Sequence, residues 1–139
     1  MSTDYWGVLA AVKKILDEIE GVYAFVEMPL DAYTTSGPEV GIFLDTEENE
    51  EHTIGVDNPY LTTLHISVVC QEFSPDGVEE SCRKRDALVG KVRDALKADR
   101  TIGGKVESSQ LGNPSFETAR GEAGFYSGAS IPLRAFLFS

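Results

Sequence analysis

The chain has 139 residues, with 12 Lys+Arg against 23 Asp+Glu and a formal net charge of −11. That length supports one domain with a real hydrophobic core, and 42% hydrophobic with 25% charged residues describes a folded globular chain. No apolar run approaches the ~18 residues of a membrane span, and Met1-Ser2-Thr3-Asp4 has no basic, then apolar, leader pattern. Membrane and secreted classes are therefore not expected.

The charge is unevenly placed. Residues 1–60 hold 13 acids and 2 bases, a balance of −11, whereas residues 61–139 hold 10 of each. The first half is too poor in Lys and Arg to neutralise many phosphates, which argues against tight nucleic-acid binding. Its acidity suits solubility, repulsion of DNA or docking on a basic partner. Cys70 and Cys82 lack a CxxC arrangement and are expected to be reduced and buried, and His52 and His65 have no metal-ligand spacing.

In chain order, Tyr5, Val8, Leu9, Val12, Ile15, Leu16 and Ile19 predict a helix from about Asp4 to Glu20. Ser2, Thr3 or Asp4 would cap it and Gly21 would stop it. Tyr5 and Trp6 are read as core aromatics, with a partner contact as the alternative. Val22–Glu27 reads as a strand, Met28–Pro38 as a loop, and Val40–Asp45 as a strand buried on both faces. Five acids within Asp45–His52 repel one another and predict an exposed loop or hairpin tip.

Tyr60–Phe73 is the strongest strand: Leu64, Ile66, Val68 and Cys70 alternate with Thr63, His65, Ser67 and Val69. Ser74-Pro75-Asp76 predicts the start of a second helix running to about Asp99, its stripe formed by Val78, Cys82, Leu88 or Val89, Val92, Ala95 and Leu96. Lys105–Arg120 has weak β-tendency, broken at Gly112-Asn113-Pro114, and Gly121–Gly124 reads as a turn. In the last strand Ile131, Leu133, Ala135 and Leu137 face the core, which puts Arg134, Phe136 and Phe138 on the other face. Pro132 predicts an edge or an interrupted ladder there. The fold class expected is α+β: a mainly antiparallel sheet in the order α-β-β-β-α-β-β, with two helices packed on one face.

No nucleophile elbow, phosphate-binding glycine loop, HExxH or calcium loop is present, so no catalytic, metal or cofactor residue is assigned and an enzyme is not expected. A small enzyme with a site in Lys105–Tyr126 would need a nucleophile–base pair that the sequence does not show.

Three segments together resemble the tail terminator proteins of long-tailed bacteriophages, the minor tail protein U type. They are Tyr60-Leu-Thr-Thr-Leu-His-Ile-Ser-Val-Val-Cys-Gln-Glu-Phe73, the helix Gly77–Leu96 with its Val-Arg-Asp-Ala-Leu ending, and the closing strand Gly124–Phe138. The resemblance spans nearly all of residues 1–139 as one such domain; the acidic segment after the second strand departs from it. It implies a virion structural protein at the head-proximal end of the tail, assembled in the host cytoplasm. Six copies would form a ring that ends tail-tube polymerisation and offers a surface to the head connector and neck proteins. Its partners would be other copies, the tail tube protein and those neck proteins, with genomic DNA passing through the lumen unbound. Under that reading Glu47, Glu48, Glu50 and Glu51 are expected on an acidic loop facing the lumen, and Arg83, Arg85, Arg134 and Phe136 at subunit interfaces. The alternatives are a head-completion or neck adaptor protein and a small soluble α+β binding module.

Overall fold

A computed structural model describes residues 3–28, 38–51 and 60–138. The first helix, α1 (Tyr5–Asp17), begins where Asp4 Oδ1 accepts the Gly7 N–H at 3.0 Å. That bond satisfies one of the donors a helix start leaves unpaired. Val8, Leu9, Val12 and Leu16 form its buried stripe, with Ile15 and Ile19 packed beside them. The regular helix ends at Asp17, three residues before the predicted end at Glu20, and a turn carries the chain to Gly21 at φ 80°.

Strand β1 (Tyr23–Val26) pairs parallel with β2 (Glu39–Glu51), and β2 pairs antiparallel with β3 (Tyr60–Ser74). After β3 comes α2 (Val78–Ala98), then β4 (Ser108–Leu111), β5 (Ser115–Arg120) and β6 (Phe125–Phe138). The sheet order is β1-β2-β3-β6-β4, with β5 alongside the first half of β6. The expected fold class and element order hold. The weak stretch 105–120 resolves into two short strands, β4 and β5, that share one side of β6 and are separated by the Gly112–Pro114 break.

Both helices cover the same sheet face: α1 lies against β1 and β2, α2 against β3, β6 and β4. Ala24, Val40, Ile42, Leu64, Ile66, Val68, Cys70, Ala129, Ile131, Leu133 and Ala135 meet the helix stripes there and are all buried. Leu88, Val89, Val92 and Leu96 supply the α2 stripe, as expected, but Val78 at its start is 47% exposed. Ile102 and Val106, in the turns after α2, complete the core.

The structure corrects four local expectations. The segment Asp45–Glu51 is not a loop: it continues β2 and pairs with Tyr60–His65, after a bulge between Leu44 and Thr46. The second helix starts at Val78, because β3 runs on to a buried Ser74 and Gly77 occupies the cap position without a side-chain bond. Trp6 is 62% exposed and Tyr5 sits at the surface, so neither is a core aromatic. Cys70 is buried as expected, but Cys82 is only half-buried; both are free thiols.

Pro132 lies in a central strand, not at an edge. A strand residue points its N–H and C=O to the same side, and the Pro132 carbonyl accepts the Gly112 N–H at 2.8 Å. The donor that proline lacks therefore faces the gap between β4 and β5, where the ladder is already interrupted. The loop predicted over Met28–Pro38 lies largely outside the described residues, as does His52, the last residue of the predicted acidic loop. The turn at Gly121–Gly124 is present, closed by a Gly121 N–H to Gly124 C=O bond of 2.8 Å. A Cβ at Gly124 would sit 2.4 Å from the Ser74 carbonyl oxygen, so only glycine fits that crossing.

Candidate functional site

The bulge at Asp45 decides what the acidic strand presents. Strand side chains alternate between faces, and the pairing register carries the alternation across the sheet. Glu47 pairs with Leu64 and Asn49 with the buried Thr62, so Glu47, Asn49 and Glu51 lie on the helix side. Glu48 pairs with Thr63 and Glu50 with Leu61, which places them on the open face. The four glutamates expected together on one loop are thus split between two faces of a strand.

On the helix side, the Tyr5 hydroxyl donates to Glu47 Oε2 at 2.5 Å, and that bond holds the Tyr5 hydroxyl above its ordinary pKa. Thr62 Oγ1 donates to Asn49 Oδ1 at 2.7 Å. On the open face, His65 Nε2 lies 3.4 Å from Glu48 Oε1, and Ser67 donates to the Asp45 carboxylate. Among the described residues no Lys or Arg pairs with Asp45, Glu47, Glu48, Glu50 or Glu51. The outer side of this stretch also lacks a neighbouring strand among the described residues, because β1 pairs only as far as Ile42. Among the described residues this is a strand edge without a neighbour, lined with carboxylates, an arrangement that discourages uncontrolled edge-to-edge pairing.

The predicted interface bases behave differently. Arg83 Nη2 bonds Glu79 Oε1 at 2.7 Å and Lys84 Nζ lies 3.6 Å from Glu80 Oε1, each one helical turn away. Arg85 bonds Asp86 at 3.1 Å and stacks 4.8 Å over the Phe116 ring, with its side chain only 13% exposed. Arg85 thus holds α2 to β5. Arg134 and Phe136 lie on the open face as expected, and Arg134 Nη2 donates to Gln110 Oε1 at 2.6 Å.

A basic site that the sequence reading passed over lies at the opposite edge. A cleft of about 250 Å³ between α2 and β4 is lined by Arg93, Leu96, Lys97, Arg100, Ser109, Gln110 and Leu111. Arg100 Nε donates to the Ser109 carbonyl at 3.1 Å, while Arg93 and Lys97 have no carboxylate partner among the described residues. The signal was present: 93, 97 and 100 form an i, i+4, i+7 row of like charges, whereas 79/83 and 80/84 are opposite-charge i, i+4 pairs.

Two other hollows carry no visible chemistry. A groove of about 500 Å³ between the helices is lined mainly by Ala11, Ile15, Ile19, Ala95 and Ala98. At its rim Asp99 is held below its ordinary pKa by the Gly103 N–H, 2.9 Å from Oδ2. A smaller hollow on the open face lies between Gln71, Tyr126 and Gly128. No group of three or more His, Cys, Asp or Glu placed to hold a metal occurs among the described residues, and no described helix is long and apolar enough to cross a membrane. Compared with known proteins, the chain matches no protein-family model and no curated protein sequence.

Proposed function

We propose that the chain is a ring-forming structural subunit of a bacteriophage tail, of the tail terminator type, which ends tube polymerisation and offers a surface to the head connector. The observation that carries this reading is the run Tyr60–Leu96: a long strand leading through a short turn into a long helix, set within the element order the resemblance implies. The work of such a protein is done by surfaces, and the most distinctive surface here is a carboxylate-lined strand edge.

In this reading the open sheet face turns Glu48 and Glu50 toward the lumen, where their charge keeps DNA phosphates from sticking as the genome passes. Their neighbours on that face, Arg134 and Phe136, border the same wall. The double reversal Glu48→Lys/Glu50→Lys should slow DNA ejection several-fold, read by dye release from virions, while heads and tails still join. Ejection at the wild-type rate would contradict the lumen assignment. The terminator role itself is tested by removing the gene and measuring the tail tubes. Tails of normal length lying free beside filled heads would instead mark a neck adaptor.

A further inference from the structure

We infer that the acidic free edge of β2 in one copy of the chain docks against the basic cleft between α2 and β4 of a second copy, with Glu47 and Glu51 facing Arg93, Lys97 and Arg100. Three features of the sheet converge on this contact. Glu47, Leu64, Ala135 and Ser109 form one row straight across the sheet, and Arg100 is bonded to the Ser109 carbonyl. The acidic and basic ends of that row therefore stand at the same height on opposite edges.

Polarity agrees as well. Three antiparallel steps separate β2 from β4, so the two edge strands run in opposite directions. A second copy set beside the first at the same height brings its β4 antiparallel to the first copy's β2, the sense used through most of this sheet. The side chains also match by face: Glu47 and Glu51 project on the helix side, where α2 carries Arg93 and Lys97.

The charges are available. Among the described residues Asp45, Glu47, Glu48, Glu50 and Glu51 have no Lys or Arg partner, and neither Arg93 nor Lys97 has a carboxylate partner. By contrast, the bases at 83–85 are occupied within their own helix. Edges that differ from each other make a head-to-tail contact, which closes into a ring or continues as a filament according to the rotation between copies. Closure into a ring rests on the terminator reading; the contact itself rests on the two edges. Glu48 and Glu50, on the other face, are left to the lumen.

The test is carbodiimide cross-linking of the full chain at low ionic strength and high concentration, using an equal mixture of ¹⁴N- and ¹⁵N-labelled protein. Intermolecular amide links from Lys97 to Glu47 or Glu51 are expected, and they should fade in about 0.5 M salt, where exposed charges are screened. Absence of intermolecular links at Lys97, or links concentrated at Lys84 instead, would overturn the contact. Two charge-reversed chains supply the control: Glu47→Arg/Glu51→Arg, and Arg93→Glu/Lys97→Glu, each checked for folding by circular dichroism. Each alone should self-associate about tenfold more weakly or worse by sedimentation, as for several screened ion pairs turned repulsive. Mixing the two should restore association, and failure to restore it would also overturn the contact. Links at Lys97 in a protein whose loss leaves tails normal would sink the terminator reading alone. Overgrown tubes without links at Lys97 would sink the contact alone.

Discussion

Cys70 and Cys82 are free thiols in opposite surroundings. Burial in the sheet core, with Glu72 adding negative charge nearby, pushes Cys70 up to about 12. At Cys82 the hydroxyls of Ser127 and Thr118, 3.4 and 3.8 Å from Sγ, favour the thiolate, and Arg85 adds to the effect. Because the thiolate is the nucleophile, iodoacetamide should label Cys82 in the native chain and reach Cys70 only on unfolding. Equal labelling rates, followed by mass spectrometry, would contradict this. Glu72 shows how a partly buried carboxylate sets a pH dependence. Burial raises its pKa, and Lys84 and Lys91 offset part of the rise. The folded chain therefore holds this proton more tightly than the unfolded chain. Its contribution to stability is present at low pH and falls as pH rises from the ordinary carboxylate range through the raised value. Glu72→Gln has no proton to lose, so it should gain stability relative to wild type as pH rises through that window. Urea titrations that give the same difference below and above the window would contradict the assignment.

At the scale of elements, α1 depends on its cap: Asp4→Ala should cost about 1 kcal/mol, measured as a lower urea midpoint with unchanged slope. An unchanged midpoint would mean the Asp4–Gly7 bond contributes nothing. The helices and the long alternating strand were legible because their periods are long and unbroken, as with Leu64, Ile66, Val68 and Cys70 on β3. Asp45–Glu51 was not. Carboxylates two residues apart on one strand face are about 7 Å apart, and in water such a pair repels by only about 0.6 kcal/mol before salt screening. The backbone ladder gains about 1 kcal/mol per hydrogen bond, so pairing with Tyr60–His65 outweighs the repulsion. The start of α2 was misplaced for a related reason. Ser74 has the residue type of a cap, but pairing with Phe125 keeps it in β3, and its hydroxyl accepts from the Asp76 N–H in the turn instead. Of the candidate surfaces, the acidic run and the open-face position of Phe136 could be read from composition and alternation. The basic cleft needed the sheet order, because Ser109 comes beside Arg100 only when β4 pairs with β6.

Across the whole molecule, the uneven charge of the sequence becomes an asymmetry of the sheet. Among the described residues, one edge carries carboxylates without Lys or Arg partners at the height where the other carries Arg93, Lys97 and Arg100. With both helices on one face, the described residues present two unlike edges and one open face, which suits the head-to-tail contact proposed above. Self-association through exposed charge is weakened by salt, and in the proposed reading assembly on the tail tube supplies the setting for the contact. The terminator reading is therefore tested most directly by the length distribution of tail tubes, seen by electron microscopy, in lysates of a phage lacking this gene. Tubes of uncontrolled length, detached from heads, are expected. Normal-length tails on intact, infectious virions would contradict it.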